Sequence, residues 1–115
     1  MSIQRHITNQ RLSEAVKANG FIFLAGQVPT NLEGDAEAQT ANVLAQIDTL
    51  LQDLGSDKSK ILEATIYITD LASYEGLNRA WDAWVPAGHA PARACVKAEL
   101  ANPDWLVEIK LTALA

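Results

Sequence analysis

A chain of 115 residues has the length of one domain, 1–115, and can bury roughly two-thirds of its unfolded surface. With 49% apolar and 20% charged residues, its composition is that of a soluble globular protein and excludes disorder. A net charge of −5, with basic residues scattered singly, excludes a phosphate-tracking surface and argues against nucleic acid as a partner.

The opening MSIQRHITNQ has no apolar run, so no signal peptide is expected, and the longest apolar run, 21–25, is too short for a bilayer. A lone Cys95 makes no intrachain disulfide and fits a reducing compartment, the cytoplasm. One Cys with the distant His6 and His89 supplies no metal-ligand cluster; both histidines are expected at the surface or in turns.

Residues 3–7 and 14–18 read as strands, with Asn19-Gly20 as a hairpin signal after the second. Residues 21–26 read as a short, largely buried strand, and 27–34, with Pro29, Asn31 and Gly34, as a loop. Asp35 is placed to cap a helix whose first turn holds Glu37 and whose apolar stripe is Val43, Ile47, Leu50, Leu51 and Leu54. Gly55 ends it. From 61 to 69, Leu62, Ala64, Ile66 and Ile68 alternate with Glu63, Thr65, Tyr67 and Thr69, as in a strand. A second helix runs from a Ser73 cap to Val85, with Leu77, Ala80, Trp81 and Trp84 as its stripe. Its tryptophans are expected to pack a core or an interface.

The stretch 90–115 contains two alternating strands joined by a turn at Asn102-Pro103-Asp104. On the first, Ala92, Ala94, Val96 and Ala98 oppose Arg93, Cys95, Lys97 and Glu99. On the second, Val107, Ile109, Leu111 and Ala113 oppose Leu106, Glu108, Lys110 and Thr112. The small apolar rows are expected under the helices, which leaves Arg93, Cys95 and Glu108 together on the other face. The element order ββ(β)αβαββ predicts an α+β layer, a sheet with two helices on one face. The uncovered face, with Thr65, Tyr67, Arg93, Cys95 and Glu108 plus apolar members of the first strands, is expected to bury against another subunit.

The runs AGQVPTN (25–31), TIYITDLASYEGLN (65–78), PARACV (91–96) and LVEI (106–109) resemble the RidA/YjgF family of reactive-intermediate deaminases, also called RutC or L-PSP. The likeness covers nearly the whole chain, and PARACV is its most specific piece. It implies a chorismate-mutase-like fold and a homotrimer with pockets between subunits. It further implies hydrolysis of imines and enamines of amino acids to 2-keto acids and ammonia, with no metal or organic cofactor. By the same resemblance Arg93 binds the substrate carboxylate, Glu108 positions or activates the attacking water, and Cys95 sits beside the substrate. Those residue types suit the chemistry, because an arginine fork grips a carboxylate and a carboxylate holds a water.

The chain departs from the family at three places: Leu12 stands where a pocket tyrosine is usual, Ala25 where a serine is, and Ala90 where an aromatic residue is. Tyr74, at a family aromatic position, is expected to line the pocket, and Trp105 to be packing or a pocket wall. Strand geometry alone favours a structural ion pair between Arg93 and Glu108. Cys95 reads as a small buried residue more than a reactive thiol. The alternative functions are a non-catalytic trimer that binds a small carboxylate or regulates, kept open by Leu12 and Ala25, and an endoribonuclease.

Overall fold

In the computed structural model, which describes residues 2–115, Asn19 and Gly20 both take positive φ (52° and 82°). This two-residue turn joins β2 (Ser13–Ala18) to β3 (Phe21–Leu24), and primed geometry matches the twist of the strands it connects. β1 (Ile3–Thr8) pairs antiparallel with β2. The chain then crosses the sheet as α1 (Ala36–Asp53) before β4 (Ile61–Ile68), and as α2 (Tyr74–Trp84) before β5 (Ala92–Lys97) and β6 (Val107–Leu114). The strands lie in the order β1-β2-β3-β6-β4-β5. Only β4 and β5 run parallel, joined through α2 as a parallel pair requires. The result is the expected α+β, chorismate-mutase-like layer.

Asp35 caps α1 by accepting a bond from the Ala38 amide at 3.0 Å. At the other end Gly55 (φ +80°) donates to the Gln52 carbonyl and Ser56 to that of Leu51, a paired closure of the last turn. Val43, Leu44, Ile47, Leu50 and Leu51 of α1 and Leu77, Ala80 and Trp81 of α2 are buried on the sheet. Beneath them lie Ile22, Leu24, Ala64, Ile66, Ile68 and the whole predicted β6 row, Val107, Ile109, Leu111 and Ala113. His6 is half-buried, its ring 3.2 Å from the Asp53 carboxylate, and Lys17 donates to the Leu54 carbonyl at 2.9 Å. These two contacts tie the first hairpin to the end of α1.

Two local expectations change. Ser73 makes no side-chain cap; Asp70 accepts from the Ala72 amide at 2.9 Å and starts a 3₁₀ turn, Leu71–Ser73, that leads into α2. In β4 the register shifts between Ile61 and Glu63, so Ile61 is buried and Leu62 is 41% exposed. A bulge adds one residue to a strand and moves its start to the other row.

The face away from the helices carries Phe21, Phe23, Val96 and Leu114, all large apolar side chains left exposed. The Phe21 and Phe23 rings lie 6.2 Å apart.

Candidate functional site

Residues directly opposite across two strands point to the same side of a sheet. Arg93 is paired with Ala64 and Cys95 with Ile66, both core residues under the helices. Glu108 is paired with Tyr67, whereas its neighbour Ile109, opposite Ile66, faces the core. Arg93 and Cys95 therefore lie on the helical side and Glu108 on the open side. The expectation that the three share the uncovered face is overturned.

So is the placement of Ala92, Ala94 and Val96 under the helices: all three are exposed, on the open side. β5 is an edge strand, and its alanines fit either environment. Alternation marks two rows there without saying which row faces in, and the parallel register with β4 decides it. The ion pair between Arg93 and Glu108 does not form, and among the described residues Arg93 has no carboxylate partner.

The guanidinium is held instead by α2. Its carbon lies 5.4 Å from the centre of the buried Trp81 ring and 6.0 Å from that of Tyr74, and Nη2 donates to the Tyr74 hydroxyl at 3.3 Å. Cations over aromatic faces are attracted by the ring quadrupole, and stacking leaves the edge of the guanidinium fork uncommitted. Arg93, Tyr74, Cys95, Ile68, Leu71 and Val96 line a pocket of 320 Å³ at this edge. Cys95 packs against the core, and burial pushes its thiol pKa up, against a smaller opposite pull from Arg93. A thiol so placed is a pocket wall, not an activated nucleophile.

Glu108, half-buried beside β3, has its pKa raised by burial. The carboxyl group lies over Gly26: a Cβ there would fall 2.8 Å from Glu108 Cδ and closer still to Oε2. Gly26 has no positive φ, so its backbone does not call for glycine. A Cβ would instead displace the flexible end of the Glu108 side chain, so glycine leaves the carboxyl group where it lies.

The remaining expected residues are spread out. Ala25 precedes Gly26, its amide bonded to the Glu14 carbonyl at 2.9 Å. Leu12 is 45% exposed in the β1–β2 turn, where the Asn9 side chain accepts from its amide at 3.1 Å. That turn and β5 lie toward opposite edges of the sheet, with β2 and β5 four strand spacings apart, or about 19 Å. Leu12 and Arg93 cannot line one pocket within one chain. Trp105 is half-buried in the loop between β5 and β6.

A family profile described as Endoribonuclease L-PSP matches residues 3–115. The chain belongs to the Endoribonuclease L-PSP family, also named RidA/YjgF/RutC. The RutC family protein YoaB of Escherichia coli K12 is 50% identical over 113 residues, covering 98% of each chain. A RutC family protein of Haemophilus ducreyi is 50% identical over 107 residues, 93% of this chain and 91% of its own. The crystal structure of NMB1025, a member of the YjgF protein family from Neisseria meningitidis, is 56% identical with a TM-score of 0.96, covering 99% of this chain and 95% of that one.

In this L-PSP family chain three supporting residues escape sequence reading. Gln39 of α1, 2% exposed, donates to the Asp104 carbonyl at 3.1 Å and accepts from the Leu106 amide at 2.8 Å, pinning the loop on both sides of Trp105. Gln27 exchanges both backbone bonds with Ile109 (2.8 and 3.0 Å) and so seats Gly26 against Glu108. Trp81 packs in the core and also carries Arg93. A glutamine within an apolar stripe is a visible signal for Gln39; nothing local marks Gly26 or Gln27.

Proposed function

We propose that this single-domain chain is an imine and enamine deaminase, converting 2-imino acids and water to 2-keto acids and ammonia in clefts between subunits of a cytoplasmic homotrimer. The observation that carries the reading is Arg93: a guanidinium stacked on aromatic rings, open to a pocket and without a carboxylate partner among the described residues. Such a group is suited to a ligand carboxylate. The separation of Arg93 from Glu108 and Leu12 supports clefts completed by a second copy, as do the exposed aromatic and aliphatic side chains of the open face.

In this scheme Arg93 binds the carboxylate and Cys95, Tyr74 and Trp105 wall the cleft. Glu108 of the adjoining copy takes a proton from water as the oxygen attacks the imine carbon. Glu108 returns that proton to the nitrogen, giving a tetrahedral carbon with one hydroxyl and one amino group. It then takes the hydroxyl proton and passes it to the nitrogen, so that ammonia leaves as the carbonyl forms. The imine is replaced by water's oxygen without a change of oxidation state. Burial suits Glu108 to this task, since a raised pKa makes a carboxylate a stronger base. The lone, half-buried Cys95 supports a reducing compartment, and no helix among the described residues is long and apolar enough to cross a membrane.

A second reading, a non-catalytic trimer that binds small carboxylates, is favoured by Leu12 and Ala25, which lack the hydroxyls usual in the family. The acidic balance of −5 weighs against an endoribonuclease. Ammonia release from freshly generated 2-iminobutyrate separates the first two. The deaminase reading expects turnover that Arg93→Ala lowers by about 10²-fold or more. The binding reading expects none from wild type, with 2-keto acids still bound.

A further inference from the structure

Leu12 and Ala25 leave the cleft short of hydroxyl donors, yet one phenol stands beside Arg93. The Tyr74 oxygen accepts the Nη2 proton of Arg93 at 3.3 Å, its sole side-chain bond among the described residues. A phenol that accepts one hydrogen bond still has its own O–H to give. Tyr74 is 44% exposed and lines the 320 Å³ pocket with Arg93, so that proton is free to reach a ligand there. Trp81, 4% exposed, is fixed in the core and supports the guanidinium from below.

We propose that the Tyr74 hydroxyl donates to the carboxylate held by Arg93, so that the phenol and the guanidinium form one clamp for a small 2-keto or 2-imino acid. The assignment rests on the reading of Arg93 as the carboxylate anchor. Chemically the two donors are complementary. The guanidinium supplies charge and a planar fork, and the phenol adds a short charge-assisted bond whose direction fixes the rotation of the ligand about its C–C axis. It also draws α2 into the site, because Tyr74 is the first residue of that helix. The contact restores, from the helical side, a polar hold of the kind absent at Leu12 and Ala25.

The test is calorimetric titration of the full-length protein with 2-oxobutanoate, using wild type, Tyr74→Phe and Arg93→Ala. Tyr74→Phe keeps the ring and removes only the hydroxyl at a half-exposed position. We expect about tenfold weaker binding for Tyr74→Phe, the size of one lost bond to a charged group. For Arg93→Ala we expect binding to vanish. In ammonia release Tyr74→Phe should raise KM about tenfold and leave kcat unchanged, a split that general loosening of the fold does not produce. Wild-type affinity in Tyr74→Phe with loss in Arg93→Ala overturns the clamp and leaves the Arg93 anchor standing. Undiminished binding by Arg93→Ala, or no binding by wild type, removes the anchor and the clamp together.

Discussion

At the β5 edge a guanidinium stacks on Trp81 and Tyr74 and on the open face of β6 the Glu108 carboxylate is half-buried, and among the described residues neither has an ion-pair partner. The first is held by aromatic rings that leave its donors spare. The second is held by a glycine that leaves its oxygens room. Each arrangement keeps an unneutralised charge partly out of water, which costs stability and is retained where a partner arrives from elsewhere. In the proposed function a ligand carboxylate is the partner for Arg93, and for Glu108 it is a water molecule beside that ligand. The two halves make one site only if two chains meet.

The sharpest way to break this comparison is subunit mixing. Arg93→Ala alone should lower kcat/KM for 2-iminobutyrate by about 10²-fold or more, since a bidentate charge-assisted contact is lost. Unfolding and co-refolding it with an equal amount of Glu108→Gln should recover about a quarter of wild-type activity, because one cleft in four draws both intact groups from different chains. A cleft built within one chain would leave the mixture inactive.

Glu108→Gln by itself should lower kcat about 10²- to 10⁴-fold with KM held, as expected for loss of a general base. Because burial raises the Glu108 pKa above 4.5, wild-type activity should fall on acidification from a pH above that ordinary value. A pH–rate profile checks this: the acidic limb should be missing from the residual activity of Glu108→Gln.

Gly26→Ala should push the carboxylate aside. The atoms it would strike belong to the end of one flexible side chain, so the fold should survive with its melting temperature little changed. Misplacing the base by about an ångström should cost roughly 10- to 100-fold in kcat. Wild-type turnover in this variant would show that the glycine has no part in seating Glu108.

The smallest effect concerns stability. A carboxyl whose pKa is raised in the folded state favours folding most when protonated, below its unfolded value. That contribution is lost as the pH rises through the folded pKa. Glu108→Gln should therefore melt slightly higher than wild type at pH 7, and the gain should fade as the pH falls through the raised folded pKa, to be gone below about 4.5. Thermal melts of both proteins across that range check the sign.

What was legible from the residues alone was local and strongly patterned. The Asp35 cap, the Gly55 stop, the stripe of α1, the Asn19-Gly20 turn and the buried row of β6 each depend on neighbours a few positions away. In β6 the large row of Val107, Ile109 and Leu111 admits one inward side. The element order was enough for an α+β layer, and the motifs around Arg93 were enough for the family.

Which side of the sheet each β5 residue faces was decided only by tertiary structure. Alternation has period two and no sign, and Ala92 and Ala94 cost little in either environment. The sign came from long-range pairing of Cys95 with Ile66, which turned Arg93 toward α2 and away from Glu108. The same holds for Gly26, whose need for glycine lies in a side chain 82 positions later, and for Leu12, separated from Arg93 by strands inserted between them. Local sequence specifies turns, caps and rows because those energies are set by adjacent residues. The composition of a site across a sheet is set by register and strand order, which depend on the whole chain packing at once.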